Sequence, residues 1–511
     1  MATKSSSLPQ NMSQDEKLLR MSKGQRFLHN FCQFFLGIPK KIAGWAVGIA
    51  RFFKNFGIKV YLACKDIVMT FVHGSWITRV SYLVMGFGSF ARKQILRGIL
   101  FLGAEVVFIW YMITTGGYYI GALNSLGTKQ PIENIELGTV TYGDNSFKIL
   151  LYGVLSIFFI IAFIYTWYVN VKQNRINEEI LKEKKRVATS GDDLRSLVDK
   201  NFHKTLLALP TLGIVVFTVL PIIFMILVAF TNYSSHHNGY TNSLFGWQGF
   251  DNFKQILAWN SGGKNYSATF GEILVWTLIW AFFATFTNYF LGMMVAMLIN
   301  KKGIKLKKVW RTVLVLSIAI PQFISLKYVS QMFDPQFGFF NKIIELFGGK
   351  PLDFFGDQYH PWRARITVIL INIWIGIPYL MLVTTGILMN IPADLYESAN
   401  IDGATKWQQY TKITLPYMLF VTGPYLLTSF TGNMNNFNVI YLLTGGGPTV
   451  ASMENAGKTD LLITWLFNMS IRDGEYNLGA VIGILVFVIV AVISVVVYNL
   501  IPSTRNEEEF Q

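Results

Sequence analysis

The stretch YESANIDGATKWQQYTKITLP, residues 396–416, is a polar segment that lies between two long apolar runs. Its pattern predicts two short helices joined at Asp402-Gly403, because glycine readily adopts the positive φ that a sharp turn needs. We expect Pro392 to begin the first helix and Asp402 to cap the second. We expect Leu415-Pro416 to end the unit where the next apolar run begins. Such residues fit either an ordinary helical hairpin between two spans or a surface to which another protein docks.

The chain around this segment has the composition of a membrane protein. Of its 511 residues, 52% are hydrophobic and only 14% are charged, whereas soluble domains average about 25% charged residues. Apolar runs of about 18 residues or more recur, each long enough to cross a bilayer as a helix. The sequence therefore predicts an all-α polytopic membrane protein. The eight expected transmembrane helices fall near residues 98–122, 148–171, 205–231, 270–299, 312–333, 366–390, 417–443 and 478–501.

The segments between the spans alternate in their content of basic residues. Residues 1–97 hold 15 Lys and Arg against 3 acids, and residues 172–204 hold nine Lys and Arg. The intervening loop 123–147 holds one basic residue and loop 232–269 holds two. Because basic loops stay on the cytoplasmic side, we expect a multi-pass protein of a bacterial plasma membrane with both termini in the cytoplasm. The segment 391–416 is then cytoplasmic as well.

Residues 1–97 form a basic, aromatic-rich extension in which Lys and Arg alternate with Trp, Phe, Ile and Val. This mixture is typical of helices that lie among lipid headgroups, so membrane lipids are expected partners and nucleic acid is not. The first 23 residues lack the apolar core of a cleavable signal peptide. We predict three further regions: two transmembrane helices and a charged cytoplasmic hairpin at 98–204, a core of six transmembrane helices at 205–505 that includes the loop 391–416, and a C-terminal tail at 506–511. The charged hairpin is expected at 172–204, as two helices joined by a turn at Ser190-Gly191.

Two membrane segments carry polar side chains that must face protein or water, since an unsatisfied amide in hydrocarbon costs several kcal/mol. Each set is expected on one stripe of its helix. The stripe in the sixth span is Asn372, Gly376 and Tyr379, and that in the seventh contains Ser429, Asn433 and Asn436. Amides both donate and accept hydrogen bonds, and aromatic rings stack on C–H faces, so the combination suits a sugar. The alternative is that these residues only join packed helices.

The sequence offers two possible sources of energy for transport. Glu105 is the one serious candidate for a proton site at membrane depth, so a proton-coupled secondary transporter is an alternative. A nucleotide site would need G-x-x-x-x-G-K-[ST]. The nearest match, Gly457-Lys458-Thr459, has Ser452 where the first glycine is required. If ATP drives the protein, a separate subunit binds it, and the chain itself is then no enzyme.

The 396–416 segment resembles a known motif. Glu397-Ser398-Ala399-x-x-Asp402-Gly403-Ala404, followed by Tyr410-x-x-Ile413-x-Leu415-Pro416, is similar to the EAA loop of ABC importer permeases, with Ser398 where alanine is usual. The stretches NNFNVIYLLTGGGP, residues 435–448, and TDLLITWLFNMS, residues 459–470, resemble the larger, eight-span permease subunit of maltose/maltodextrin importers. The resemblance covers roughly residues 95–505.

This resemblance implies the type I permease fold of ABC importers, with the 205–505 region as the permease core. It implies three kinds of partner: a homologous second permease, two ATPase subunits that bind the ATP, and a sugar-binding protein, which the short 232–269 loop suggests is lipid-anchored outside the cell. The expected substrate is maltose, maltodextrin or a related oligosaccharide, with a non-sugar substrate as an alternative. No cofactor or metal is expected in the chain. The implied ATPase-coupling residues are Glu397, Ala399, Asp402, Gly403 and Ala404, and the implied sugar-cavity residues are Asn372, Gly376, Tyr379, Ser429, Asn433 and Asn436.

Overall fold

The computed structural model of the protein describes residues 23–129, 132–134, 139–141, 143–239, 244–258, 265–301 and 303–500. The prediction about a signal peptide and the predicted tail at 506–511 concern residues outside these ranges. The described residues are largely helical, and their strands are the antiparallel pair β1, Ile132–Asn134, and β2, Thr139–Thr141.

Seven helices of the described residues are long and apolar enough to cross a membrane, and a bent pair of helices makes an eighth span. The spans, numbered one to eight, are Ile95–Ala122, Ser146–Lys182, Phe202–Val228, Tyr266–Asn300, the pair Lys307–Ala319 with Gln322–Met332, Pro361–Leu388, Lys406–Met434 and Tyr476–Tyr498. The prediction of an all-α membrane protein with about eight spans is confirmed.

Other helices connect the spans or precede them. They are Lys23–His73, Trp76–Val80, Phe87–Ala91, Ser190–Val198, Asp251–Leu257, Phe339–Leu346, Ala393–Ile401, Phe437–Leu443 and Leu462–Phe467. The first of these is 51 residues long. From position 47 onward its large apolar side chains, such as Phe52, Phe53 and Phe56, are mostly exposed.

Span five is bent by 93° at Pro321. The residue before it, Ile320, is extended, with φ −81° and ψ 125°, which is the conformation that a following proline favours. Proline also lacks the N–H that would continue the helix. Three other prolines, Pro210, Pro378 and Pro424, lie inside helices that continue through them.

Two prolines follow a π-helical turn. The turn Val215–Val219 precedes Pro221, and the turn Tyr410–Thr414 precedes Pro416. A proline leaves the carbonyl four residues earlier without its α-helical donor. A π turn pairs a carbonyl with the N–H five residues later, and here the residue before each proline donates in this way, Leu220 to Val215 and Leu415 to Tyr410. The helix therefore passes Pro416 without a break, and the expectation that Pro416 ends the second short helix is wrong.

The chain divides into two compact units, each discontinuous in sequence. Unit 1 comprises Met1–Tyr111 and Phe158–Leu206, and unit 2 comprises Met112–Ile157 and Leu207–Gln511. Unit 2 contains the larger apolar core, in which Trp276, Trp280 and Trp465 are almost completely buried. The predicted region boundaries at 97 and 204 remain predictions.

The charged hairpin after span two begins later than expected. Span two continues as a helix to Lys182, and the next helix starts at Ser190. Thr189 caps that helix, because its backbone N–H donates to Asp192 Oδ2 at 2.8 Å. The turn therefore precedes Ser190, and its predicted position at Ser190-Gly191 is wrong.

Candidate functional site

Polar side chains from spans four, six and seven and the break after span seven meet in what we call the amide cluster: Thr285, Asn288, Asn372, Asn433 and Asn436. Asn433 Nδ2 donates to Thr285 Oγ1 at 3.0 Å, and Asn436 Nδ2 donates to Asn433 Oδ1 at 3.3 Å. Thr285 lies in a π turn, Phe283–Thr287, a local widening of the helix that is frequent at functional sites. The two amides expected from the sequence thus contact each other and span four.

Span six joins this cluster through Asn288. Its Nδ2 donates to the carbonyl oxygen of Asn372 at 3.4 Å. A Cβ atom at position 376 would lie 2.3 Å from the same Nδ2, which is far inside van der Waals contact. Gly376 is therefore needed because any side chain there would displace Asn288. Its predicted neighbour Asn372 is buried, with 6% of its surface exposed.

Two polar atoms of the amide cluster lack a hydrogen-bond partner among the described residues. They are the acceptor Asn288 Oδ1 and the donor Asn372 Nδ2, both buried. A buried polar group left in this state costs about 1–3 kcal/mol. Because a hydroxyl group donates and accepts at once, these two atoms are chemically complementary to a polyhydroxylated molecule.

The remaining two predicted cavity residues are Tyr379 in span six and Ser429 in span seven. Both Ser429 and Tyr379 lie close to the Tyr425 side chain. Tyr379 is 51% exposed, so much of its ring is available to a ligand. The spans therefore present aromatic surface as well as amides.

The stripe predicted in the seventh span needs one correction. Span seven ends at Met434, and Asn436 starts the separate helix Phe437–Leu443, where its Oδ1 accepts from the Val439 N–H at 3.4 Å. Asparagine side chains compete for backbone hydrogen bonds and so favour helix ends. Asn436 consequently reaches Asn433 across a break in the helix, and the expected position on one continuous stripe is wrong.

Sequence reasoning missed the contribution of span four. Besides Thr285 and Asn288, Tyr289 is completely buried there, and its hydroxyl lies 2.8 Å from Thr422 Oγ1 of span seven. The signal was present as TFTNY, residues 285–289, a polar interruption of an apolar run. By the rule applied to spans six and seven, this interruption predicts contact with protein or water.

The second candidate site is the segment 391–416, which we call the coupling hairpin. The helix Ala393–Ile401 is followed by Gly403 with φ +75°, so the expected positive φ is present. Across the turn, the Ala404 N–H donates to the Ala399 carbonyl at 2.9 Å. Gln409 Nε2 donates to Asn400 Oδ1 at 2.7 Å. These bonds hold the two helices of the hairpin as one element.

The expected cap of the second helix is wrong. Asp402 is the residue at which the first helix ends, and the second helix is capped by Thr405, whose Oγ1 accepts from the Gln408 N–H at 3.3 Å. Thr405 and Gln408 form a reciprocal capping box. Asp402 lies three residues before that position, at the end of the first helix.

The outer surface of the coupling hairpin combines acidic and apolar groups. Glu397, Asp402 and Gly403 are exposed. Ile401 and Trp407, which the sequence did not single out, are 87% and 70% exposed. A single helical hairpin that exposes two such large apolar side chains beside acids has the features of a protein-docking surface.

Two candidates for an energy source are engaged in structural contacts. Glu105 Oε2 accepts a hydrogen bond from the Met85 N–H at 2.8 Å. Lys458, in the nearest match to a nucleotide motif, donates to both carboxylate oxygens of Glu272, at 2.7 and 2.8 Å. Arg365 Nη2 donates to the same carboxylate at 3.2 Å. Lys458 therefore belongs to an ion-pair cluster between a loop and span four.

Residues 288–506 match the family model described as "Binding-protein-dependent transport system inner membrane component". The galactooligosaccharides transport system permease protein of Bacillus subtilis is 32% identical over 432 residues, which are 83% of this chain and 97% of that protein. The maltodextrin transport system permease protein of Streptococcus pneumoniae is 31% identical over 433 residues, 83% of this chain and 96% of that protein.

A solved structure gives the same fold. It is a crystal structure of a bacterial ABC transporter involved in the import of the acidic polysaccharide alginate. The match has a TM-score of 0.50 and 23% sequence identity, and it covers 62% of this chain and 100% of that one. This likeness extends the agreement from sequence to backbone architecture.

A bundle of about eight spans with polar groups at membrane depth and an exposed helical hairpin is the architecture of a transport permease. The chain belongs to the family of inner membrane components of binding-protein-dependent transport systems. It is an integral membrane protein with the fold of ABC importer permeases. These similarities favour this class over the proton-coupled secondary transporter.

Proposed function

We propose that the chain forms the translocation path of an ATP-driven importer of oligosaccharides of the maltodextrin type. The observation that carries the proposal is the amide cluster, in which an unpaired acceptor, Asn288 Oδ1, and an unpaired donor, Asn372 Nδ2, are buried among spans four, six and seven. The similar permeases from Bacillus subtilis and Streptococcus pneumoniae, which carry galactooligosaccharide and maltodextrin names, support a sugar as the substrate.

The chemistry of the site supports the same substrate class. A sugar hydroxyl donates and accepts together, so sugar hydroxyls offer both the donor that Asn288 Oδ1 lacks and the acceptor that Asn372 Nδ2 lacks. The half-exposed ring of Tyr379 offers a flat apolar face to the C–H side of a sugar ring. We propose Asn372, Tyr379, Ser429, Asn433 and Asn436 as sugar contacts, with Gly376 as the residue that makes room for Asn288.

We propose that the energy comes from ATP bound by two separate ATPase subunits, and that this chain itself binds no nucleotide and makes or breaks no bond. The coupling hairpin is the docking surface for one of them. Glu397 and Asp402 supply charge, and Ile401 and Trp407 supply apolar area. Ala399 and Ala404, both half-buried, let the two helices of the hairpin approach closely.

The coupling hairpin is joined to the amide cluster by a continuous helix. Span seven starts inside the hairpin at Lys406 and reaches Met434; its 29 residues have a length of about 43 Å at 1.5 Å per residue. Closure of the ATPase dimer would displace the hairpin and tilt this helix, so that the cavity alternates between outward and inward access. A helix without a break transmits such a motion as a lever.

We propose three further features of the assembly: a homologous second permease subunit completes the path, a lipid-anchored binding protein delivers sugar from outside, and both termini of this chain lie in the cytoplasm. The basic residues of segments 1–97 and 172–204 support that orientation. The loop 232–269 is too short for an additional outer domain, which supports a binding protein held at the cell surface.

The test is reconstitution in proteoliposomes with and without the companion subunits. We expect uptake of a maltodextrin such as maltotetraose only when ATPase, second permease and binding protein are all present. Uptake by the chain without those subunits would refute the proposal. If no oligosaccharide stimulates ATP hydrolysis by the assembled complex, a non-sugar substrate is favoured instead.

The variant Asn433→Ala removes the contact with Thr285 and should weaken sugar-stimulated ATP hydrolysis about tenfold, since a lost hydrogen bond with a buried partner costs about 1–3 kcal/mol. Asn438→Ala is the matched control, because Asn438 lies just beyond the cluster and is exposed. Equal behaviour of the two variants would remove the amide cluster from the sugar path.

A further inference from the structure

Unit 1 contains a cavity that the transport function does not use. Its volume is about 950 Å³, within the range of about 300–1,000 Å³ usual for small-molecule sites. It lies between the end of the long helix Lys23–His73, the short helices that follow it, and the last turn of span two. Every residue that lines it belongs to unit 1.

The cavity combines a cationic rim with an apolar wall. The wall includes Ile77, Leu181 and Val187, and the rim includes Lys93 and Lys182. Within the described part of the chain, the side-chain ammonium groups of these two lysines have no hydrogen bond or ion pair, and both residues are exposed. Their charge is therefore available to a ligand.

The acid that lines the cavity is already compensated. Glu178 Oε1 accepts hydrogen bonds from the Ser75 N–H at 2.8 Å and from Thr78 Oγ1 at 2.5 Å. Arg92 Nη2 approaches the same oxygen at 3.5 Å. Arg186, also in the lining, pairs loosely with Asp192 at 3.7 Å. The net field of the cavity is positive, because Lys93 and Lys182 add charge that no neighbouring acid cancels.

The cavity lies beside the ends of spans one and two, a position from which we infer the level of the lipid headgroups. Span one begins at Ile95, two residues after Lys93, and span two ends at Lys182. Trp76, between two lining residues, is 65% exposed, and exposed tryptophan is typical of the membrane–water boundary. A basic pocket between spans at this depth is the kind of site that binds anionic headgroups.

We propose that this cavity binds one anionic phospholipid, whose phosphate lies against Lys93 and Lys182 and whose acyl chains lie along Leu181 and Ile77. Under the orientation proposed above, the lipid belongs to the cytoplasmic leaflet. The apolar wall favours a lipid over a soluble phosphate compound, since a free phosphate would leave that wall in water. The bound lipid connects the long basic helix to spans one and two.

The test is native mass spectrometry of the full chain, purified in neutral detergent and mixed with phosphatidylglycerol or phosphatidylcholine. We expect one tightly held phosphatidylglycerol and no comparable phosphatidylcholine. The double variant Lys93→Gln with Lys182→Gln should reduce phosphatidylglycerol affinity about 30-fold. Each lysine near an anionic headgroup contributes about 1 kcal/mol of binding free energy, and the two contributions add. The pair Lys200→Gln with Lys204→Gln removes equal charge from exposed positions outside the cavity and should change affinity little.

Three results would overturn the proposal. They are unchanged phosphatidylglycerol affinity in the Lys93/Lys182 double variant, an equal loss in the Lys200/Lys204 control, and displacement of the lipid by an equal concentration of glycerol 1-phosphate. The last result would assign the site to a soluble phosphate compound. Because the substituted lysines are exposed and unpaired, the double variant should keep the melting temperature of the parent, which verifies its fold.

Discussion

Substitution of Gly403 tests whether the coupling hairpin transmits force. Gly403 has φ +75°, and no heavy atom lies within 4 Å of a Cβ built there. The effect of Gly403→Ala is therefore conformational rather than steric. A left-handed φ costs a non-glycine residue about 1–2 kcal/mol, which disfavours the native turn by a factor of about 5–30.

Two further variants extend this into a graded series. Gly403→Asn should be milder than Gly403→Ala, because asparagine tolerates the left-handed region. Gly403→Pro should be more severe, because proline fixes φ near −65°. Proline also removes the N–H that donates to the Asn400 carbonyl at 3.1 Å, a bond worth about 0.5–1.5 kcal/mol.

The assay is the ratio of maltodextrin taken up to ATP hydrolysed by the assembled complex in proteoliposomes. We expect assembly in all variants, since the turn is exposed, and a ratio that falls in the order Gly, Asn, Ala, Pro. Gly303→Ala is the matched control, because Gly303 is an exposed glycine with φ +97° outside the hairpin. A Gly403→Pro complex that imports as much sugar per ATP as the parent would refute the coupling role of the turn.

Three other predictions address separate contacts. Tyr379→Ala should raise the half-saturating sugar concentration by up to about tenfold, since an aromatic contact is worth about 0.5–1.5 kcal/mol. Tyr379→Phe should keep most of the affinity. Equal half-saturating concentrations for the parent and Tyr379→Ala, measured by sugar titration of ATP hydrolysis, would contradict the stacking role. Asp460 lies in the loop between spans seven and eight, and burial raises its pKa from 3.8 to about 6. The folded protein therefore holds this proton more tightly than the unfolded chain, so the parent should lose up to about 3 kcal/mol of stability as the pH rises from 4 to above 6. Asp460→Asn should flatten that dependence in thermal unfolding measured from pH 4 to 8, and an unchanged slope would exclude Asp460 as its source. Glu105→Gln should leave uptake unchanged because a glutamine carbonyl oxygen can still accept from the Met85 N–H, whereas collapse of uptake that followed the pH gradient would support proton coupling.

Local rules were enough to predict the class of the protein and its main hairpin. The number of spans follows from apolar runs of sufficient length, because every backbone group of a spanning segment must be satisfied within the segment. The turn at Gly403 follows from the conformational freedom of one residue type. These features depend on neighbours in sequence, so the amino-acid sequence alone predicts them.

The composition of the amide cluster and the path of span seven depended on residues that are far apart in sequence. Asn433 meets Thr285 across 148 positions, and Gly376 is required because of Asn288 on another helix. A hydrophobic pattern states that an amide must face something polar, but it does not name the partner. The continuation of the helix through Pro416 likewise depended on a π turn. The altered hydrogen-bond register of such a turn is not predicted by any residue pattern. The sequence by itself determined the spans and the hairpin; tertiary packing decided which polar groups share a site and how the hairpin is connected to it.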